Sequence, residues 1–174
     1  MIASCLRPAC VSRLPLRFRP GDSCCAASAF PPTNRLQAMF SLPIRVYWED
    51  TDAGGVVYHA RYLGFLERAR SEWMRAQGYG QELLRVEHDL VFAVRSMQLD
   101  FLAPARLDDE VSVSSELGEC RRASAVFLQS VRRGGDLLLS ARVRVAALDA
   151  TAFRPRAIPQ PLYDQLKALE LPAA

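Results

Sequence analysis

Residues 60 to 77 carry the one long helical pattern in the chain. Their apolar side chains Tyr62, Phe65, Leu66, Ala69, Trp73 and Ala76 recur at offsets of 3, 4, 7, 11 and 14 from the first. That spacing aligns them in one stripe on a helix of about 3.6 residues per turn. Arg61, Arg68, Arg70, Glu72 and Arg75 fall mainly off the stripe, and Gly78 stands where a helix end favours glycine. Such a helix is about 27 Å long, and its apolar stripe needs a cover. IRVYW (44–48) precedes it, and LVFAVRSMQLDFL (90–102), EVSVSSELGE (110–119), ASAVFLQSV (123–131) and LLLSARVRVAAL (137–148) follow. All are rich in β-branched or aromatic residues with partial alternation, as strands require. Short turns join them: ARLDDE after Pro104, Gly118 to Arg122, and RRGGD, whose Gly134-Gly135 suits a tight hairpin. In the last strand Leu139, Ala141, Val143 and Val145 share one face, opposite Ser140, Arg142 and Arg144. A short helix over 81–87 and a terminal one near 162–169 complete the pattern. One long helix laid across an antiparallel sheet is an α+β fold.

The chain of 174 residues, 50% hydrophobic and 24% charged, supports one full-sized core. No apolar run approaches the roughly 20 residues needed to span a bilayer, so no membrane span is expected. The formal charge of +3 is unevenly distributed. Residues 1–38 hold Arg7, Arg13, Arg17, Arg19 and Arg35 against the single acid Asp22, which leaves the remainder slightly acidic and without a nucleic-acid footprint. Cysteine divides in the same way, with Cys5, Cys10, Cys24 and Cys25 in the leader and only Cys120 in the body. The spacings match no paired zinc motif, and a reducing compartment is the simplest reading. Prolines and arginines interrupt every apolar stretch of the leader, which argues against a secretory signal. The expectation is a disordered extension over 1–38, or translation from a start upstream of Met39, with residues 39–174 as the folded domain.

Between the first strand and the long helix lies EDTDAGGVVYH (49–59), which gathers three carboxylates, two glycines and one of two histidines. Counted as a calcium loop from Asp50, it places Gly54 at position 5 and Arg61 at position 12, where a bidentate Glu is required. His59 has no second histidine at ligand spacing, His88 has no partner motif, and neither phosphate-binding glycine pattern is present. No metal and no cofactor are expected. A catalytic reading accounts for more of the stretch. A helix beginning near residues 59–60 leaves backbone amides around Val57–Ala60 without intrahelical partners, and these favour a developing oxyanion. Gly54 and Gly55 allow the chain to reverse and approach a substrate closely. Asp52, an aspartate ionised at neutral pH, is placed to attack a carbonyl or activate water. His59 would donate a hydrogen bond to that carbonyl or orient the substrate. No serine nucleophile elbow competes with this apparatus. Glu49 and Asp50 read as solvated or helix-capping acids, and Glu67 as a support for the site or a partner of neighbouring arginines.

RVYWEDTDAGGVVYHARYLGFLERAR (45–70) resembles the YbgC family of acyl-CoA thioesterases, within the wider 4-hydroxybenzoyl-CoA thioesterase-like hotdog group. FLAPARLDDEV (101–111), the two hairpins and RPRAIP (154–159) are similar to it as well, so the resemblance covers roughly residues 41–169. It implies a hotdog fold, an antiparallel sheet wrapped around one central helix, assembled as a homodimer or homotetramer with active sites at the subunit interface. It implies hydrolysis of an acyl-CoA substrate to coenzyme A and a carboxylic acid. The family's acidic catalyst falls on Asp52, its loop histidine on His59 and its oxyanion amide around Tyr58. Trp48 stands where relatives often carry Tyr, so no phenolic role carries over. The resemblance further implies a cytoplasmic location, association with the Tol–Pal envelope system and contact with acyl carrier protein. Two other readings compete: a hotdog dehydratase of 3-hydroxyacyl thioesters using His59 and Asp52 as an acid–base pair, and a non-catalytic acyl-CoA-binding module. Against the latter, an anion beside a neutral thioester does little for simple binding.

Overall fold

In the computed structural model, which describes residues 40–172, the helical pattern forms α1 (Arg61–Ala76), closed by Gly78 at a φ of +91°. The expectation for residues 1–38 lies outside the described residues. β1 (Ser41–Arg45) precedes α1, and α2 (Gln81–Glu87), β2 (Leu90–Phe101), β3 (Glu110–Arg121), β4 (Ser124–Arg133), β5 (Asp136–Asp149) and α3 (Gln160–Ala168) follow it. The strands form one sheet in the order β1-β3-β4-β5-β2, with every neighbouring pair antiparallel. The order follows from the short turns: β3, β4 and β5 are consecutive hairpins, with Gly134 at a φ of +56° in the last. Tyr62, Phe65, Leu66, Ala69 and Trp73 of α1 are buried, as are Val113, Leu117, Phe127, Val131, Leu139, Val143 and Val145 of the sheet. Trp73 meets Phe127 edge-on at 5.4 Å between ring centroids. Each such side chain contributes about 1.5–3 kcal/mol on burial, and together they make the helix-on-sheet α+β hotdog core.

The structure departs from the sequence pattern in particular places. The first strand is Ser41–Arg45, not residues 44–48, because the chain leaves the ladder after Val46. The Tyr47 N–H turns to the Asp50 carboxylate (3.0 Å), and Trp48 enters a 3-10 turn as a residue 80% exposed. Gly118 is not a turn residue but sits at a bulge between Leu117 and Glu119, where a Cβ would lie 2.9 Å from Leu128 Cγ. On α1, Ala76 is exposed and Met74 takes the buried place. Arg70, expected off the stripe, is only 7% exposed. Its Nη1 donates to Gln129 Oε1 (2.8 Å), while Gln129 Nε2 donates to the Leu66 carbonyl (2.9 Å) and to Ser115 Oγ (2.6 Å). Gln129 stands in register between Ser115 and Ala141, so this polar node ties the middle of the sheet to α1. Burial pushes the Arg70 guanidinium below its usual pKa, opposed by the Glu67 charge.

Candidate active site

The acidic loop is a small hairpin at one end of the sheet. Thr51 bridges to Val57, the Asp52 N–H donates to the Val56 carbonyl (3.0 Å), and the Gly55 N–H donates to the Asp52 carbonyl (3.0 Å). Gly55 at a φ of +72° makes the reversal, a conformation that favours glycine. Two contacts dock the hairpin: the Val46 N–H donates to the Asp109 carbonyl (2.9 Å) and the Val57 N–H to the Ala105 carbonyl (2.8 Å). Buried Tyr62 braces the same limb, its hydroxyl accepting the Ala105 N–H at 2.9 Å. Burial raises the pKa of that phenol, only partly offset by the hydrogen bond from Ala105.

Asp52 is exposed at the hairpin tip, and its Oδ1 accepts the Gly54 N–H at 2.7 Å in an Asx turn. His59 is exposed too, its ring 4.4 Å from that of Tyr58. Together with Val57, Tyr62, Phe101, Leu102 and Pro104 it lines an open cleft of ≈ 330 Å³. Among the described residues no hydrogen bond or ion pair joins His59 to Asp52. The Tyr58 N–H, the expected oxyanion amide, donates to the Asp50 carbonyl at 2.9 Å. The unclaimed donors lie one and two residues on. No acceptor among the described residues meets the N–H of His59 or Ala60, and Ala60 supplies no side-chain cap to the helix that follows. A helix start with bare amides concentrates partial positive charge at the cleft.

Asp50 is a capping acid, as one of its two expected readings has it: its carboxylate accepts the Tyr47 N–H at the start of the 3-10 turn, but it is not solvated. It is 3% exposed, and Arg61 Nε donates to its Oδ1 (2.9 Å) while Nη2 forms an ion pair with the same oxygen (2.8 Å). The spacing of a loop acid to the first residue of the following helix was the signal available, hidden because ion pairs eleven residues apart have no local period. Glu49 does remain exposed, 3.3 Å from Arg61. Glu67 accepts the Ser71 hydroxyl at 2.7 Å, eight residues beyond His59 on α1. It borders a second, more enclosed cavity of ≈ 90 Å³ whose walls include Met74, Phe92, Val94, Phe127 and Val145. Phe101 of β2 packs on Tyr62 of α1 at 5.7 Å beside the first opening, and Phe92 and Val94 of β2 line the second with Glu67 and Met74.

Residues 46–166 match the thioesterase-like superfamily. The acyl-CoA thioesterase YbgC of Haemophilus influenzae is 46% identical over 121 residues, covering 70% of this chain and 89% of the relative. The acyl-CoA thioester hydrolase YbgC of Escherichia coli is 43% identical over 130 residues, covering 74% and 96%. Among solved structures, a probable thioesterase from Bartonella henselae superposes with a TM-score of 0.67 at 38% identity, covering 70% of this chain and all of that one. The chain belongs to the YbgC family of acyl-CoA thioesterases within the thioesterase-like superfamily.

Proposed function

We propose that this chain hydrolyses acyl-CoA thioesters, with Asp52 as the acidic catalyst and the His59 N–H, rather than that of Tyr58, as the oxyanion donor. The observation that carries the reading is one loop presenting a carboxylate held by the Gly54 N–H and, seven residues on, an unclaimed amide at the start of α1 beside an apolar cleft. The thioester carbonyl oxygen accepts the His59 N–H. Asp52, or water that it deprotonates, attacks the carbonyl carbon, and the tetrahedral oxyanion collapses with cleavage of the C–S bond. After direct attack, water then hydrolyses the Asp52–acyl anhydride, which frees the carboxylic acid and restores the carboxylate; after attack by water, Asp52 returns its proton to solvent. Coenzyme A leaves as the thiolate and takes a proton from solvent. The acyl group lies along the seam between α1 and β2, toward the cavity bordered by Phe92 and Val94. The missing contact between His59 and Asp52 disfavours the acid–base pair that a dehydratase needs.

β2 is a 12-residue edge strand carrying exposed Val94 and Phe101, and a long exposed edge is a template for pairing. The reading therefore includes a homodimer in which β2 pairs with β2 of a second copy and shields the seam. No helix among the described residues is long and apolar enough to cross a membrane; the cytoplasmic location and acyl carrier protein contact rest on the family resemblance. The test is thiol release from a panel of short, long and aromatic acyl-CoAs, with the acid identified by mass spectrometry. Release supports the hydrolase. Interconversion of hydroxyacyl and enoyl thioesters without release would favour the dehydratase, and binding without turnover the acyl-CoA-binding module. Isotope-labelled water in a single turnover identifies direct attack when the label enters Asp52, the outcome of opening the anhydride at the aspartyl carbonyl.

A further inference from the structure

Asp50 touches three separate parts of the site. Its Oδ2 accepts the Tyr47 N–H (3.0 Å), where the chain leaves the sheet. Its carbonyl accepts the Tyr58 N–H (2.9 Å), on the returning limb of the hairpin. Its Oδ1 accepts the Nε–H of Arg61 (2.9 Å), the first residue of α1, and pairs with Nη2 of the same side chain (2.8 Å). Asp52 stands two residues beyond Asp50, and His59 lies between Tyr58 and Arg61. The reactive carboxylate and the free amide are thus each within two residues of an atom fastened to Asp50. The hydrogen bonds at the hairpin tip run within residues 52–56, and Asp52, Ala53, Gly54 and Gly55 are all exposed, so they hold the tip's own shape rather than its place against α1.

We infer that the Asp50–Arg61 pair is the positioning element of the site, setting the His59 amide and the Asp52 carboxylate at their working separation. The inference rests on the thioesterase reading but concerns residues that reading gives no role. Two features favour positioning over simple support of the fold. An ion pair whose Arg61 side is 37% exposed adds little net stability compared with apolar packing, so retention of a nearly buried carboxylate at a loop edge calls for another consequence. The Tyr58 N–H, once taken by the Asp50 carbonyl, is withdrawn from the cleft, which leaves the next amide as the donor presented to substrate. A 1 Å misplacement of reacting groups costs about a hundredfold in rate, and this pair is what opposes such a shift.

The test compares Asp50→Asn, Arg61→Ala and Arg61→Lys with wild type in steady-state thiol release, thermal unfolding and amide hydrogen exchange. Asp50→Asn and Arg61→Ala are expected to lower kcat about 10- to 100-fold with KM within about threefold, and Arg61→Lys to fall between. Arg61 lines a small cleft with Gly64 and Phe65, so its truncation opens space beside the Asp50 carboxylate. Millimolar guanidinium is expected to restore part of kcat to Arg61→Ala and none to Asp50→Asn. Losses that track the unfolding temperature, with no guanidinium rescue, would overturn the inference in favour of a purely structural pair. If wild type releases no thiol from any substrate, the thioesterase reading fails separately. Exchange then decides: the Tyr58 amide should exchange at least on the order of tenfold faster in both Asp50→Asn and Arg61→Ala while β4 stays protected, and an unchanged Tyr58 amide would refute the positioning role.

Discussion

The two glycines of the hairpin separate catalytic geometry from stability. Gly54 has no positive φ, so its backbone accepts alanine, but an added Cβ would lie 3.0 Å from Asp52 Oδ1. That oxygen is the one accepting the Gly54 N–H at 2.7 Å. Ordinary contact begins at 3.4 Å, so in Gly54→Ala the carboxylate must retreat by about 0.4 Å. Asp52 is exposed and has room to do so. Stability should therefore hold or rise slightly, since alanine at a compatible site gains about 0.4–1 kcal/mol through the unfolded chain. With about a hundredfold lost per 1 Å of misplacement, kcat should fall roughly tenfold. Gly55 presents the opposite case: nothing lies within 4 Å of an added Cβ, but φ is +72°. Gly55→Ala should cost about 1–2 kcal/mol in stability with the smaller effect on kcat. Thermal unfolding beside a continuous thiol-release assay reads both quantities. Wild-type kcat in Gly54→Ala, or a larger kcat loss in Gly55→Ala, would refute the assignment of Asp52 in this rotamer to catalysis.

Other consequences follow from the same contacts. Gln129→Leu leaves the buried Arg70 guanidinium without its acceptor and should cost about 3 kcal/mol, a fall of about 10 °C in Tm; Arg70→Met added to it should recover most of that loss. Phe92→Ala widens the cavity at the far end of the α1–β2 seam and should raise the kcat/KM ratio of longer to shorter acyl-CoAs. Glu170 is held below the usual carboxylate pKa, first by the hydrogen bond from Lys167 and then by that from the Cys120 N–H (2.7 Å). A depressed pKa means that its stabilisation is present above an ordinary glutamate pKa near 4.5 and fades as pH falls through the folded value. Wild type should melt above Glu170→Gln at pH 7, with the difference closing in acid.

Features with a local period were legible in the sequence. The stripe at Tyr62, Phe65, Leu66, Ala69 and Trp73 marks α1, and the alternation at Leu139, Ala141, Val143 and Val145 gives the buried face of β5. The α2 boundaries at 81 and 87 coincide with the pattern. Asp52 and His59 stood out because acid, glycine and histidine are crowded into one loop. What escaped depends on partners distant in sequence. Arg70 looked solvated because its acceptor, Gln129, lies 59 residues away. Asp50 was legible as a cap, but not its burial or its pairing, because Arg61 and Tyr58 approach it only once the hairpin closes. That the Tyr58 N–H is taken while the His59 N–H is left free has the same origin: helix-start amides are free as a class, and which one stays free depends on the carbonyl that the fold brings alongside. The early end of β1 likewise follows from the Asp50 carboxylate capturing the Tyr47 N–H, which propensity at Tyr47 and Trp48 does not encode.

The central claim is that Asp52 performs chemistry at a thioester. Its most direct measurement is kcat for thiol release by Asp52→Asn, which keeps the side-chain oxygen that accepts the Gly54 N–H but removes the negative charge. The account predicts a folded protein with an unchanged melting temperature, nearly unchanged KM and kcat lowered about 10²- to 10⁴-fold. Wild-type turnover by Asp52→Asn would contradict it.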